Sequence, residues 1–571
     1  MSLRYDGAMT QAIHFDATRW DQIEPIGSEL RDRDVATRDD LERWIEDRSE
    51  FDAICSEARA NLYIRMTCHT DDEDASGAWT RYLEKVRAPL EVLGAALDTR
   101  QIELTDALTL DDQRYGVMTR DTRVDVELYR DENVPLKTEL AKLDQRYDEV
   151  CGAMTVEFRG KEHTIPQMGT YQEQTDRQTR QEAWRAVQER RLRDVDVIDD
   201  IYDTMIGLRD ELAHNAGFGN YRDYAFRAKR RFDYTPSDCE AFHDACASTV
   251  VPVLRGLDAS RRKMLGVDTL RPWDLSVDVH GREPLRPFEG ADELVDKTRG
   301  VFERMGEGLG EMFDELTRGG CLDLESRKGK APGGYQYMRD HSRMPFIFMN
   351  AAGLHSDVRT MLHEAGHAFH SQLCRDESLL HYRHSPIEFA EVASMSMELL
   401  SMPFWDEFYP DEGECDRARR EQLEGIVGVL PWIATIDAFQ HWIYTNPRHS
   451  RQERTAHWNT LVERFGNVVS WDGLERTRDT MWQRQGHLFG VPFYYIEYAI
   501  AQLGALQLWK IALERGMDEA LTLYKRGLSL GGSRPLPELF EASGLRFDFS
   551  AETMGGLMEL LDRELGKLPD G

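Results

Sequence analysis

"TMLHEAGHAFHSQLC" (residues 360–374) sets two histidines, His363 and His367, four positions apart, with Glu364 directly after the first. Apolar residues recur at Val358, Met361, Leu362, Ala365, Phe369 and Leu373, the steps of an amphipathic helix, and Ser356 or Asp357 stands where an N-cap belongs. At about 100° per residue, the two imidazoles lie within roughly 40° of each other on one face. So placed, they can bind one metal ion. Glu364 lies one step round the helix, able to reach a water molecule there without being a ligand, as in an H-E-x-x-H metallopeptidase. Gly366 leaves room beside the pair. A histidine-rich helix that holds no metal fits the same pattern, so the motif needs a partner elsewhere in the chain.

A catalytic zinc takes three protein ligands and keeps a fourth position open. The longer motif that ends in a third histidine requires glycine at position 370 and histidine at 373, whereas the chain has His370 and Leu373. The third ligand is therefore expected to be a carboxylate on a neighbouring helix. "HSPIEFAEVASMSMELLSM" (384–402) offers Glu388, Glu391 and Glu398. Ser385 to Glu388 read as a capping box with Pro386 at the first helical position, which gives Glu388 a structural task. Glu391 is left as the ligand, far enough beyond His367 for one helix to end and a second to return. Glu398 shares its face and can hydrogen-bond a ligand histidine from behind.

With 71 basic and 103 acidic residues the 571-residue chain carries a formal charge of −32, a field that repels phosphate backbones and anionic lipid. Neither nucleic acid nor membrane is expected as a partner. The eight cysteines (Cys55, Cys68, Cys151, Cys239, Cys246, Cys321, Cys374 and Cys415) are scattered, with no CxxC pair and no close ligand spacing, as suits a reducing cytoplasm. The opening "MSLRYDGAMTQAIHF" has no apolar run, and no later stretch reads as a membrane span. The expectation is a cytoplasmic protein.

Residues 38 to 150 read as long charged helices, with Leu41, Trp44, Ile45, Phe51 and Ile54 on one face. "MTVEFRGKEHTIP" (154–166) reads as a short hairpin turning at Gly160. "VDTLRPWDLSVDVHGREPLRPFEG" (267–290) is the candidate linker. Short strands follow at about 320–350, including "RMPFIFMN" (343–350), where Pro345 lacks an amide donor and puts its strand at an edge or at its own beginning. An edge strand there can pair with an extended peptide. The division expected is an amino-terminal helical region over 1–150 and a catalytic region over 151–571.

"DVRTMLHEAGHAFH" followed by "FAEVASMSMELL" resembles the thimet oligopeptidase and oligoendopeptidase F group of zinc metallopeptidases, particularly its shorter bacterial branch. In that group the helix bears H-E-x-G-H and a later E-[AV]-P-S supplies a glutamate ligand; this chain has Ala393 where the proline usually stands. "GHLFGVPFYYIEYAIAQLGA" (486–505) reads by itself as an aromatic stripe of core packing. The resemblance implies instead that His487 and the tyrosines face the zinc and bind the tetrahedral intermediate; Tyr495 and Tyr498 match best, and Tyr494 stays an alternative because the local register is ambiguous by one residue. It covers about 155 to 545; the amino-terminal helices agree only in style.

The resemblance implies a mainly α, multi-helical ellipsoidal fold with a deep central channel and a small β element before the metal-binding helix. It implies one Zn2+ per chain on His363, His367 and Glu391, Glu364 as general base, His487, Tyr495 and Tyr498 as further catalytic groups, and short unstructured peptides as substrates. Two other readings stand beside this oligoendopeptidase. A helical zinc carboxypeptidase would hold a terminal carboxylate, with Arg339, Arg343 and Lys330 as the available cations. A non-catalytic peptide-binding protein would keep the motif inert. Oligomeric state leaves no mark in the sequence.

Overall fold

The long periodic stretches of the sequence are helices, and five strands occur among the described residues, so the fold is mainly α. The computed structural model describes residues 15–306, 308–327, 329–331 and 333–569; most of the opening stretch read for a leader lies outside that range. Strands β1 (Thr155–Phe158) and β2 (Lys161–Thr164) form the expected hairpin, Val156 opposite His163. Its turn holds Arg159 at φ 52° and Gly160 at φ 77°, and two positive φ values are what a type I′ turn demands.

Strands β3 (Leu322–Glu325), β4 (Tyr335–Arg339) and β5 (Met344–Ala351) form a sheet in the order β3-β5-β4, with β5 parallel to β3 and antiparallel to β4. β5 is thus the middle strand and not an edge. Pro345 is tolerated because it stands second in the strand, opposite Met338, where the ladder is only beginning. The central place also accounts for the unbroken apolar run: residues 345–349 are all buried, as in a strand covered on both faces.

The chain forms two compact units, each gathered from three stretches. The first joins the described residues up to Tyr129 with Arg286–Tyr409 and Gly504–Phe547. The second joins Arg130–Leu285, Pro410–Leu503 and the residues from Asp548 onward. A single boundary near residue 150 does not separate them, because Leu41, Trp44, Ile45 and Phe51 complete their core with Leu379 and Tyr382 from far along the chain. The Tyr382 hydroxyl fixes that junction, donating to the Arg114 carbonyl at 2.8 Å and accepting from the Met118 N–H at 3.2 Å.

In the first unit the helix His355–Leu373 lies on β4 and β5 and against the helix Ile387–Leu400. Val358, Met361, Leu362, Ala365 and Phe369 form its buried face, as the periodicity requires, and Phe369 meets Phe302 edge-on at 4.8 Å. In the second unit the helices Pro236–Met264, Glu412–Thr445 and Ala551–Leu565 pack together. Glu412–Thr445 contains a stretch long and apolar enough to cross a membrane, contrary to the expectation that the chain has none; most of it is buried within the fold, as a core helix is.

Residues 267–285 are packed rather than loose. Leu270, Trp273, Val277 and Leu285 are buried, and fully buried Asp274 accepts from Arg177 at 2.9 and 2.6 Å and from Arg180 at 3.3 Å. A linker leaves such charges in water. The boundary between the two units, after Leu285, nevertheless falls within the 267–290 stretch.

Candidate metal centre

The histidine helix starts at His355, and Asp357 secures its beginning by accepting from the N–H groups of Ala352 at 2.7 Å and Leu354 at 2.9 Å. Gly366 faces the neighbouring helix, not open space. A Cβ at 366 would meet the Ala393 carbonyl oxygen and the Ser394 Cα, each at 2.6 Å. Only glycine lets the two backbones come this close, and that approach brings a carboxylate from Ile387–Leu400 to the histidines. Ala393, in place of the family's proline, sits inside this helix.

The expected capping box does not form. Ile387–Leu400 begins with extended Pro386 at its N-cap and no side-chain cap; Ser385 Oγ reaches the Pro386 carbonyl at 3.3 Å instead. Glu391 is nevertheless the carboxylate that meets the histidines. Its Oε2 lies 3.4 Å from His363 Nε2 and 3.5 Å from His367 Nε2, and one donor atom from each residue falls within a 4.8 Å cluster. The two imidazoles stand nearly perpendicular, at 84°.

Glu398 occupies the far side of His363, its Oε1 2.8 Å from Nδ1. That bond keeps a proton on Nδ1 and turns Nε2 toward Glu391 and His367. Ser394, absent from the residues expected at the site, donates to Glu391 Oε2 at 2.9 Å; the E-x-x-S spacing on one helix is its signal. Burial works against ionisation of both His363 and Glu391. Each outweighs that through the other: His363 is held well above the usual histidine range by Glu391 and Glu398, and Glu391 well below the usual carboxylate range by His367 and His363. The set is a negative pole with two nitrogen donors around it.

Glu364 is buried beside these groups. Burial raises its pKa above the ordinary value, while His363 and His367 pull it back, and its carboxylate accepts from the Gln336 backbone N–H of β4. His370 is outside the cluster, packed against Phe389 at 6.1 Å, with a pKa pushed down to about 3 by burial and by His367 and His384.

In the second unit His487 gathers three tyrosines, its ring 4.9 Å from Tyr495, 5.7 Å from Tyr494 and 6.0 Å from Tyr498. Tyr494 belongs to this group as much as the other two. The turn before them is held in a left-handed conformation at Phe493 (φ 63°), whose N–H donates to Gln440 Oε1 at 2.6 Å and whose carbonyl accepts from Arg231. Gln485 fixes His487, with Nε2 2.9 Å from Nδ1. Burial raises the Tyr495 phenol above its usual pKa despite hydrogen bonds with Trp432 and Gln485.

The cations considered for a terminal carboxylate are occupied. The Lys330 side chain is fully buried and bonds the carbonyls of Asp323 (2.9 Å), Glu325 (2.9 Å) and Met349 (2.5 Å) and Asp323 Oδ1 (2.8 Å). Arg339 donates to the Met344 carbonyl at 3.3 Å and to Cys321 Sγ at 2.9 Å, and Arg343 donates to the Arg375 carbonyl at 2.6 Å.

Known proteins carry the same framework. Oligopeptidase PepF of Bacillus subtilis is 25% identical over 346 residues, 56% of this chain and 50% of its own, so the match spans about half the length of that relative. A solved chain named as an oligoendopeptidase F superposes with a TM-score of 0.89 at 26% identity, covering 98% of each chain. PZ peptidase A, solved with an inhibitor, has the same fold, with a TM-score of 0.89 at 24% identity over 98% of this chain and 99% of its own. The sequence profile of Peptidase family M3, whose members are metallopeptidases, matches residues 170–558. That stretch is well over half of the chain and contains the histidine helix, the glutamate helix and the tyrosine cluster, and the chain belongs to Peptidase family M3.

Proposed function

We propose that this chain is a zinc-dependent oligoendopeptidase that hydrolyses internal bonds of short, unstructured peptides. The observation that carries the reading is the meeting of His363, His367 and Glu391 donor atoms within 4.8 Å, beside buried Glu364. Two imidazole nitrogens and a carboxylate are a donor set that suits zinc, and they fit it here: both Nε2 atoms turn toward Glu391 Oε2, and Glu398 holds Nδ1 of His363. When bound, zinc polarises the scissile carbonyl and lowers the pKa of water to about 7.

The chain's own groups do the rest. Glu364 takes the proton of the attacking water and delivers it to the leaving amine. Its hydrogen bond to Gln336 keeps the carboxylate in place between the two transfers. His487, Tyr495 and Tyr498 are proposed as hydrogen-bond donors to the substrate carbonyl oxygen as it gains charge; their grouping around one imidazole and the resemblance of residues 486–505 to the family support that assignment. β4, an edge strand beside Glu364, takes over the peptide-pairing role expected of β5.

Internal cleavage is favoured over carboxypeptidase action because Lys330, Arg339 and Arg343 are already engaged within the fold. The intact Glu364 favours catalysis over an inert binding role. The test compares an end-blocked peptide with its free-acid form. Comparable rates of internal cleavage are expected, and hydrolysis confined to the free acid would overturn the reading in favour of an exopeptidase.

A further inference from the structure

We propose that Cys239, Asp437 and His441 hold a second metal ion, a structural zinc in the core of the second unit. Cys239 and His243 stand four apart on Pro236–Met264, and Asp437 and His441 stand four apart on Glu412–Thr445. Spacing of four puts each pair on one face of its helix, and these two helices pack against each other. One donor atom each from Cys239, Asp437 and His441 lies within 4.8 Å of the others, although the cysteine is about two hundred positions from the other two in sequence. Cys239 and Asp437 are fully buried and His441 nearly so.

The aspartate and the histidine are oriented yet underused. His243 Nε2 stands 2.9 Å from Asp437 Oδ2 and holds the carboxylate in place. Asp437 Oδ1 and both ring nitrogens of His441 have no hydrogen-bond partner among the described residues, although His441 Nε2 comes to 3.3 Å of Oδ2. Phe226 and Phe493 stand edge-on to the His441 ring at 5.8 and 5.5 Å and keep water away. Buried polar atoms are rarely left without partners, and a divalent cation supplies one to the carboxylate and the imidazole together. A thiolate and a carboxylate neutralise its charge, so nothing uncompensated remains in the core. Thiolate, imidazole and carboxylate are all zinc donors, and thiolate argues against magnesium or calcium. His243 then serves the ligand Asp437 as Glu398 serves His363.

The competing account is a buried aspartate paired with two histidines and no metal. Zinc is measured on protein purified from zinc-supplemented cells, in the wild type, in the His363→Ala/His367→Ala variant, and in that variant with Cys239→Ser added. The proposal expects the double variant to keep about one zinc per chain and the added serine to remove it. A zinc-free double variant would overturn it. Should the serine variant not fold, the double variant reloaded with cobalt decides: a thiolate-to-cobalt absorption band in the near-ultraviolet is expected, and its absence contradicts a cysteine ligand. A centre of histidines and glutamate has no sulfur and cannot give that band, so the outcome does not depend on the proposed peptidase activity.

Discussion

Glu398 selects the nitrogen of His363 that is free to bind metal, and it does so from outside the ligand set. Glu398→Ala is therefore expected to weaken zinc binding by about 10–100-fold, read by competition with a chelator, while the fold stays intact. Glu398→Gln keeps an acceptor for Nδ1 and should lose less. Equal affinity in all three proteins would remove Glu398 from the centre. His363, His367 and Glu364 are legible in sequence because four-residue spacing on a helix fixes a face without any tertiary knowledge. Glu391 follows from sequence by two routes, a capping box that does not form at Pro386 and the resemblance of Glu391–Ser394 to the family's glutamate motif, and its carboxylate does meet the two histidines. Ser394 has a signal in the E-x-x-S spacing, whereas Gln336 is not legible as a neighbour of the centre, since a backbone N–H on a carboxylate leaves no pattern in residue type.

Among elements, the decisive contact is the one that Gly366 permits between the histidine and glutamate helices. Gly366→Ala is expected to cost about 1–3 kcal/mol in stability, by overpacking, and to weaken zinc binding as Glu391 is pushed away. Gly428, inside Glu412–Thr445, has nothing within 4 Å of the place a Cβ would take, and should respond oppositely, gaining about 0.4–1 kcal/mol as alanine. Denaturant unfolding of the two variants measures both signs, and a Gly366→Ala protein as stable as wild type would mean that the helices tolerate separation. Asp340, between β4 and β5, accepts from Ser56 Oγ at 2.6 Å and pairs with His384 Nε2 at 2.8 Å, and its carbonyl accepts from Arg383 at 2.9 Å. Burial opposes its ionisation, but His384, Ser56 and Arg383 outweigh that and hold its pKa below the ordinary value. A depressed carboxylate stabilises the fold above its unfolded pKa of about 3.9 and loses that contribution as pH falls through the folded value. Asp340→Asn should thus cost about 1.5–3 kcal/mol at neutral pH and less at each step below about pH 4, seen as a shallower acid limb in stability against pH. Helices, hairpin and turn are readable here from local pattern; the middle position of β5 is not, because strand order depends on partners that periodicity does not name.

For the whole molecule, the mainly α character follows from periodicity, and the division of the chain does not. Which helices share a core is settled by contacts such as Tyr382 with Arg114 and Met118, or Asp437 with His243, between residues hundreds of positions apart. Charge and motif bound the chemistry more firmly than they bound the architecture. If peptide hydrolysis depends on the metal centre, dialysis against a strong chelator should abolish turnover and added zinc should restore it; activity that survives metal removal would exclude a metal-assisted reaction. The most direct measurement of the central claim is turnover of an internally quenched, end-blocked peptide by wild type and Glu364→Gln, with zinc content determined on the same samples. Unchanged zinc content and a loss of about 10²–10⁴-fold in kcat are expected, and undiminished turnover by Glu364→Gln would rule out Glu364 as the general base.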